Sequence, residues 1–423
     1  MKQSEIDWIG EIPDDWKINQ LSQIVSQVKN KNTGLKENNL LSLSYGKIKR
    51  KNINTNDGLL PASFDGYNII SDGDIVLRLT DLQNDHTSLR VGRATEQGII
   101  TSAYTTLHPV DYDNSKYLYY ILHSFDLKKG FYGMGSGVRQ GLNYDEVKTL
   151  KVPLPPKATQ QRIAEYLDSK CAQIDSIIEE SKKSIEEYKA WKQSVIFEAV
   201  TGKNLNCKKK DSGIEWIGEI PEGWEVKRFK FVASSLEKGA GITKEEVFED
   251  GDTPCVRYGE IYSKYNQSFS NCISKTFSSK IPVQKYFTNG DILFVGTGEL
   301  VEEIGKCIAY LGNENCLAGG DIIIAKHKQN PSFLSYAMNS SYAQNQKSRN
   351  KAKLKVVHIS ATEIGDVQIL LPPIPEQESI AKMLDSKCAQ IDSLIAEKES
   401  LIADLTEYKK SLIFEVVTGK RSI

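Results

Sequence analysis

Two long stretches of the chain carry apolar residues at alternating steps of four and three residues, and neither stretch contains an internal proline or glycine. This spacing, with charged residues between the apolar ones, is typical of helices that pair in a coiled coil. The positions that carry this interpretation are Leu167, Ile174, Ile178 and Ile185 in the first stretch and Leu384, Ile391, Ile395 and Ile402 in the second. We therefore predict two long helices that pair with each other. The alternative is two unrelated surface helices, each with one apolar face.

The two stretches are copies of one another. Residues 167–176 return letter for letter at 384–393, and the Thr-Gly-Lys ending at 201–203 returns at 418–420. Glycine just past the last apolar position suits a helix C-terminus. At about 1.5 Å per residue, the first stretch makes a rod of roughly 50 Å.

A second repeated segment opens each half of the chain. The sequence Trp-Ile-Gly-Glu-Ile-Pro at 8–13, followed by Trp16, recurs at 216–221, followed by Trp224. These openers are too rich in Gly, Pro and Trp for a helix or a long strand. We expect their Trp and Ile side chains to pack against a helix end or the neighbouring domain; the alternative is an apolar turn. The polar, lysine-rich run at 204–213 is predicted to be a linker.

Between opener and helix, each half contains a block in which short strand patterns precede a helical one. We expect strands running into glycine turns at 41–48 and 254–261, strand starts at 73–74 and 290–291, strand turns at 91–93 and 304–306, helices at 116–122 and 331–338, and closing strands at 151–156 and 368–373. The prolines that end the closing strands leave Thr159 and Glu376 to begin the long helices.

These patterns predict an α+β protein with an internal pseudo-twofold repeat, in which two similar globular domains are joined by two long helices. The predicted ranges are a first domain at 1–156, a helix at 157–203, a second domain at 204–373 and a helix at 374–423.

Composition adds little to this scheme. The chain has 423 residues, 39% hydrophobic and 26% charged, with a formal net charge of −1, which neither supports nor excludes a nucleic-acid partner. Its length allows two or more domains. We expect no membrane span and no signal peptide. Seven cysteines without a Cys-x-x-Cys pair favour a reduced, cytoplasmic protein without structural zinc.

Signatures of catalysis are largely missing from the sequence. It has no phosphate-binding Gly-x-x-x-x-Gly-Lys-Ser/Thr loop, no Gly-x-Ser-x-Gly elbow and no metal-ligand spacing among its five histidines. The segment 294–298, Phe-Val-Gly-Thr-Gly, looks like the glycine loop of a methyltransferase, but the first half has no equivalent and no motif grips a flipped base. Glu146-Val-Lys148 has the form of a nuclease Glu-x-Lys motif but lacks the upstream Pro-Asp partner, so we interpret it as a solvated helix face. We predict no catalytic residue and no metal site.

Signals for DNA binding are spread over both blocks. Cations cluster at 47–51 and alternate from Lys347 to 355, where a strand or open loop would make one face cationic, as phosphate contact requires. Base reading requires Arg, Asn and Gln on loops between rigid strands. The candidates are Lys47, Arg50, Arg78, Thr80, Gln83, Asn84, Arg139 and Gln140 in the first half and Arg257, Thr297, Arg349, Lys351 and Lys353 in the second. For each, the alternative is an ordinary surface residue.

Taken together, the chain resembles, from end to end, the specificity (S) subunit of type I restriction-modification enzymes. The resemblance rests on the two openers, the Gly-Asp-Ile strands at Gly73 and Gly290, and the Leu-Pro-Pro entry into a duplicated helix. The second helix start, at 371–380, is close to the family pattern. The first departs from it, with Ala-Thr-Gln-Gln at 158–161 where Pro-Glu-Gln is common, which weakens the helix cap without changing the period.

The resemblance implies that each block is a target recognition domain reading one half of an interrupted double-stranded DNA site. It also implies an antiparallel coiled coil that fixes the spacing and docks two modification (M) subunits, which use S-adenosylmethionine to methylate adenine. Restriction (R) subunits would add cleavage driven by ATP, with Mg²⁺; this chain would hold no cofactor. Two other functions stay open: a coiled-coil scaffold without base readout, and a self-contained methyltransferase.

Overall fold

The computed structural model describes residues 1–53, 61, 63–82, 84–85, 87–134, 141–215, 217–349, 351 and 356–423. The chain forms two compact units. The first unit combines Met1–Lys182 with Glu399–Ile423, and the second spans Lys183–Lys398. Each unit thus contains one variable block, the beginning of one long helix and the end of the other. The four domain ranges given above remain a prediction.

The first unit is built on an antiparallel sheet. Its strands are β1 (Lys2–Gln3), β2 (Glu11–Ile12), β3 (Lys17–Gln20), β4 (Val25–Gln27), β5 (Leu41–Ser44), β6 (Lys47–Arg50), β7 (Asn68–Ile70), β8 (Ile75–Leu77), β9 (Val91–Arg93), β10 (Gly98–Ile100), β11 (Thr105–Pro109) and β12 (Lys151–Leu154), and its short helices are α1 (Ser115–Leu127) and α2 (Tyr144–Val147). The main sheet has the order β4-β11-β8-β9, and α1 packs against β9. The pairs β1-β2, β3-β12, β5-β6 and β7-β10 complete the unit.

The first long helix, α3, follows these elements at Lys157–Thr201. The second unit then has strands β13 (Lys209–Asp211), β14 (Glu219–Pro221), β15 (Glu225–Arg228), β16 (Ala233–Lys238), β17 (Thr253–Val256), β18 (Ser268–Phe269), β19 (Ser274–Thr276), β20 (Tyr286–Phe287), β21 (Ile292–Val295), β22 (Thr297–Gly298), β23 (Cys307–Tyr310), β24 (Cys316–Ala318), β25 (Ile322–His327), β26 (Val357–His358) and β27 (Gln368–Leu371). Its helices are α4 (Tyr258–Ser263), α5 (Pro331–Asn339), α6 (Ser341–Ser348) and α7 (Ala361–Asp366), and the second long helix, α8, covers Ile374–Val417.

The two units repeat one topology. The order β4-β11-β8-β9 corresponds strand for strand to β16-β25-β21-β23, the pair β3-β12 to β15-β27, and the pair β1-β2 to β13-β14. The second unit adds β18 beside β23 in parallel, and a mixed sheet of order β19-β17-β24-β20. The predicted α+β class with an internal repeat is confirmed.

Within each unit the two long helices run antiparallel. In the first unit, the Tyr117 hydroxyl donates to the carbonyls of Pro153, just before α3, and of Val417, at the end of α8. Deeper along the same pair, Lys409 donates to Asp175 at 2.6 Å. The start of one helix therefore meets the end of the other.

The second unit repeats this arrangement. Trp224 donates its indole N–H to Glu376 near the start of α8 at 2.8 Å and lies against Gly202 at the end of α3. Further along, Lys192 donates to both carboxylate oxygens of Asp392 at 2.7 Å.

The apolar series on both helices faces protein. Leu167, Ile174, Ile185, Leu384 and Ile391 are buried, and Ile178, Ile395 and Ile402 are half-buried. Leu167 and Ile174 join the core of the first unit, and Leu384 joins the core of the second. The apolar spacing therefore marks the face of each helix that packs against protein.

Both openers clamp a helix end, one of the two placements expected. Gly419, just past α8, adopts φ +71°, and a Cβ there would lie 2.4 Å from Pro13 Cδ. Trp16 is buried beside it, and the rings of Trp8 and Phe414 lie 6.2 Å apart. In the second unit, Gly202 meets Pro221 and Trp224 in the same way.

Several local expectations were wrong. The helices begin at Lys157 and Ile374, where the predicted ranges start, and not at Thr159 and Glu376. A glutamine in the first turn of each, Gln160 or Gln377, donates to a proline carbonyl before the helix. The supposed linker contributes β13, which pairs with β14 of the opener. Residues 91–93 form a strand rather than a turn, and Gly259 lies inside α4.

Within the described ranges, no helix is both long enough and apolar enough to cross a membrane.

Candidate functional site

The first candidate site lies on the loop between β8 and β9, residues 78–90. Thr80 and Asn84 are exposed on this loop, and Asn84 donates to Asp81 at 2.8 Å. Arg78 lies 3.6 Å from Asp85. Hydrogen bonds from Ser88 hold the pKa of Asp85 well below its usual range, so this loop keeps an ionised acid within it. Gln83 lies outside the described residues.

A second group of candidates lies on the β5-β6 hairpin of the same unit. Lys47 is exposed, and Arg50 forms an exposed ion pair with Glu96 whose hydrogen bonds and charge raise the Arg50 pKa. The hairpin turns at Tyr45 and Gly46, both with positive φ, and a Cβ on Gly46 would lie 3.2 Å from Leu89. The structure therefore brings the hairpin tip beside the β8–β9 loop.

Sequence reasoning missed two residues of this region. Tyr45 is 82% exposed at the tip of the cationic hairpin, where an aromatic side chain can stack on a base or a sugar. Arg90 is completely buried at the base of the β8–β9 loop. The signal for Arg90 was available, since it is an arginine inside an apolar strand pattern, Leu-Arg-Val. Arg139 and Gln140 lie outside the described residues.

In the second unit the candidates occupy the end of the sheet at β22 and β26. Thr297 lies 3.1 Å from the imidazole of His358 on the paired strand. Lys351 donates to the His358 carbonyl at 2.7 Å and forms an ion pair with Glu363. Thr297 and Lys351 thus both contact His358, the first at its imidazole ring and the second at its main-chain carbonyl. Lys353 lies outside the described residues.

Two further candidate arginines of the second unit differ in whether their side chains are paired with a carboxylate or exposed. Arg257 is engaged with Glu260 at 3.1 Å, while Arg349 is exposed just past α6. Arg349 lines a cavity of about 450 Å³ with Arg228, Gln346 and Asp366, so the cavity carries both signs of charge.

The alternating lysine face expected from Lys347 onward was wrong at its first member. Lys347 lies in helix α6, completely enclosed, and donates to the Gly305 carbonyl at 2.7 Å. Burial lowers its pKa to about 8, because the interior disfavours the charged form. Lys347 therefore stabilises the fold and is not placed to contact a DNA phosphate.

The glycine-rich segment 294–298 has a packing explanation. A Cβ on Gly296 would approach the Asp321 carbonyl at 3.2 Å, and one on Gly298 would lie 2.7 Å from the Tyr262 hydroxyl. The adjoining cavity, about 410 Å³, includes Tyr258, Leu300 and Glu303 in its lining. Close contact accounts for both glycines without a bound cofactor.

The identical segment of the long helices is a docking site for the recognition blocks. Tyr120 on α1 donates to Asp168 at 2.7 Å, and Tyr336 on α5 donates to the equivalent Asp385 at 2.8 Å. The other aspartates of the segment, Asp175 and Asp392, each accept from a lysine of the opposite helix. Both functions require the same residues in both copies, which explains why this segment does not vary.

Among the described residues, no cluster of three or more His, Cys, Asp or Glu side chains is arranged to hold a metal ion. What the two units offer instead is a set of cationic and polar loops on sheets, each sheet fixed to a long helix, a combination suited to a protein that binds nucleic acid. The chain matches the family described as "Type I restriction modification DNA specificity domain" over residues 13–187 and 221–402. It belongs to this family and is a type I restriction-modification specificity subunit, whose function is recognition of a DNA target.

Curated relatives agree with this assignment. The MjaVIII specificity subunit of Methanocaldococcus jannaschii is 24% identical over 431 residues, covering 97% of this chain and 93% of that protein. The EcoKI specificity subunit of Escherichia coli is 23% identical over 295 residues, covering 67% of this chain and 62% of that protein.

Solved structures share the fold. One, reported for the complex assembly and conformational transition of a type I R-M system, superposes with a TM-score of 0.72 at 15% identity, covering 97% of this chain and 100% of that one. The HsdS subunit from Thermoanaerobacter tengcongensis superposes with a TM-score of 0.54 at 15% identity, and each chain is covered completely (100%).

Proposed function

We propose that each variable block reads one half of an interrupted double-stranded DNA site. In this proposal the two long helices pair along their length as one antiparallel coiled coil, which sets the spacing between the half-sites and docks two modification subunits. The modification subunits bind S-adenosylmethionine and methylate adenine, and restriction subunits bind ATP and Mg²⁺ and cleave. This chain supplies recognition and assembly but no catalytic group.

The observation that carries the proposal is the contrast between an identical frame and unlike reading loops. The β8–β9 loop of the first unit is held by the side chain of Arg90. The corresponding segment after β21 is held by main-chain bonds of Gly296 and by different side chains. Gln344 and Lys347 donate to the carbonyls of Ile304 and Gly305. A protein that reads two different half-sites needs one common frame and two different sets of side chains at the bases.

The candidate contacts fall into two groups. Lys47 and Arg349 present exposed charge suited to phosphates, and Thr80 and Asn84 present polar groups suited to base edges. Four other cations already lie against a carboxylate: Arg50 against Glu96, Arg78 against Asp85, Arg257 against Glu260 and Lys351 against Glu363. For these four, contact with DNA requires that a phosphate or base replaces the carboxylate. Lys47 has only a longer contact, 3.9 Å, with Asp175 and stays largely exposed.

The test is base-resolution mapping of methyladenine in DNA from cells that express this chain with the modification subunit of its system. The control cells lack this chain. We expect an interrupted motif with two unlike halves that disappears in the control. Methylation that is unaffected by loss of the chain would refute the proposal.

Two further measurements separate the two alternatives. A scaffold without base readout predicts assembly with partners but no sequence-dependent DNA binding by the complex. A self-contained methyltransferase predicts binding of S-adenosylmethionine by the isolated chain, which equilibrium dialysis measures directly. The packing explanation for Gly296 and Gly298 argues against the second alternative.

A further inference from the structure

Every hydrogen-bond donor of the Arg90 side chain binds either a carbonyl of the β8–β9 loop or the hydroxyl of Tyr132. A guanidinium has five N–H groups in a fixed plane. One Nη donates to the carbonyls of Arg78 at 3.1 Å and Thr80 at 2.7 Å, and the other donates to Asp81 at 3.2 Å and Asp85 at 2.6 Å. Nε donates to the Tyr132 hydroxyl at 3.0 Å.

Tyr132 closes this arrangement from the other side. Its hydroxyl donates to the Asp85 carbonyl at 2.9 Å, and the Arg90 guanidinium lies 4.9 Å from the centre of its ring. The main-chain N–H of Arg90 donates to Asp126 at 2.6 Å, which fixes the arginine to helix α1. The loop is thus tied through one residue, Arg90, to the helix that docks on α3: its side chain binds the loop and its main-chain N–H binds α1.

The backbone of the loop depends on this tie. With the carbonyls of Thr80, Asp81 and Asp85 turned toward the buried guanidinium, the side chains of Thr80 and Asn84 are exposed. Asp81 adopts φ +59°, a left-handed conformation that non-glycine residues rarely keep without support from their surroundings. Arg90 supplies that support by binding the Asp81 carbonyl.

We propose that Arg90 is a positioning residue for base readout: it shapes the β8–β9 loop so that Arg78, Thr80 and Asn84 meet the bases of one half-site. This inference rests on the proposed function, since it requires the loop to face DNA. It goes beyond that function by assigning the accuracy of one half-site to a buried residue that cannot itself touch DNA.

The second unit holds its corresponding loop with other residues. The side chains of Lys347 and Gln344 donate to the carbonyls of Gly305 and Ile304, and Gly296 adds main-chain bonds. Changes at Arg90 should therefore affect one half-site only. The other half-site provides an internal control for assembly, partner activity and expression within the same DNA sample.

The experiment compares R90K and Y132F in the full chain, co-expressed with the modification subunit, by base-resolution mapping of methyladenine. R90K keeps the charge but loses the planar set of five donors. R93K is the matched control, because Arg93 lies three residues further along, at the end of β9, but donates to Ser115 and Ala94 instead of the loop. Exchange of residues 17–152 in a parallel sample identifies which half-site belongs to the first unit.

We expect R90K to lower the preference for the correct base in that half-site by about tenfold or more, comparable to losing one good base contact. Y132F should have a smaller effect in the same half-site, and R93K should leave the motif unchanged. Amide exchange should show faster exchange in the loop of R90K. The other half-site should keep its preference in all three variants.

Two results would overturn the inference. One is an unchanged motif in R90K despite faster amide exchange in the loop, which would make Arg90 purely structural. The other applies if R90K fails to assemble: an unchanged motif in assembled Y132F then refutes it. A wild-type complex that methylates no interrupted site would overturn the proposed function and this inference together.

Discussion

Lys409 donates to Asp175 across the paired helices of the first unit, and the internal repeat converts this pair into Lys192 and Asp392 of the second unit. In the first unit the lysine lies on α8 and the aspartate on α3, and in the second unit the lysine lies on α3 and the aspartate on α8. The same residues therefore make the same bond twice, once with each helix as donor. This exchange is the relationship expected of a twofold repeat whose helices run antiparallel.

The ion pair of the second unit predicts a charge-reversal pattern. K192D alone places two carboxylates together and should lower the free energy of unfolding by about 1 kcal/mol, a modest value because the Asp392 side chain is 47% exposed. The double change K192D/D392K should recover most of that loss. Urea unfolding measures both. Reversal of Lys189 and Glu186, an exposed pair within one helix, is the control and should change little.

The apolar face of the helices predicts that a buried charge prevents assembly. Replacing both Ile174 and Ile391 by Asp should cost several kcal/mol, because each is 6% exposed or less, and should abolish binding of modification subunits and all methylation. Co-purification and methyladenine mapping test this. Gln173→Asp with Gln390→Asp, on exposed positions of the same helices, is the control. Unaltered methylation in the isoleucine variant would contradict the role assigned to the helices.

The helix-end glycines predict a steric penalty beyond the conformational one. Gly202→Ala must accept φ +67° and a Cβ 2.6 Å from Pro221, whereas Gly213→Ala must accept φ +72° in open space. We expect Gly213→Ala to cost about 1 kcal/mol and Gly202→Ala to cost clearly more. Thermal unfolding compares the two. Equal losses would show that the opener yields to the added methyl group.

The buried His123 and the half-buried His327 predict a loss of stability in mild acid. Burial lowers the pKa of both His123 and His327 to about 4, from an ordinary value of 6.5. Below pH 6.5 the unfolded chain binds these protons and the folded chain does not. Stability should therefore fall as the pH decreases from about 6.5 to about 4, by up to about 1.4 kcal/mol per pH unit for each histidine.

Urea midpoints measured across this pH range test the assignment. His123→Gln and His327→Gln should each make the decline shallower, and the double variant should make it shallower still. A decline that persists unchanged in the double variant would place its origin in other groups.

The β3-β12 pair predicts that the first recognition block is exchangeable. Lys17 pairs with Leu154 and Asn19 with Val152, so a replacement of residues 17–152 begins and ends in one strand pair. With the block of another family member in this place, methyladenine mapping should show one new half-site and one unchanged half-site. A change in both halves would contradict the modular reading of DNA.

The frame could be predicted from sequence because it depends on residues that repeat. The apolar series from Leu167, the openers and the Gly-Asp strand starts each have a local cause, namely a helical period, a clamp on a helix end or a turn before a strand. Duplication made each of these patterns visible twice. The same applies to the predicted helices at 116–122 and 331–338, which correspond to α1 and α5.

The sites were harder to predict because their residues depend on contacts distant in sequence. Lys347 looked like part of a cationic face, but α6 buries it against Gly305. Arg50 looked free, but Glu96 holds it. Arg90 stands out as an arginine among apolar neighbours, but those neighbours do not reveal that four carbonyls of the preceding loop turn toward it.

The make-up of the two units has a consequence for how such a chain can arise. Each unit takes the beginning of one long helix and the end of the other, so neither sequence half completes a unit by itself. This is the arrangement of a domain-swapped homodimer whose two subunits have been fused head to tail. A half-length chain carrying one opener, one block and one helix therefore has the parts to rebuild the frame from two copies. On the proposed function, such a dimer would carry two identical reading blocks and would read one half-site sequence twice.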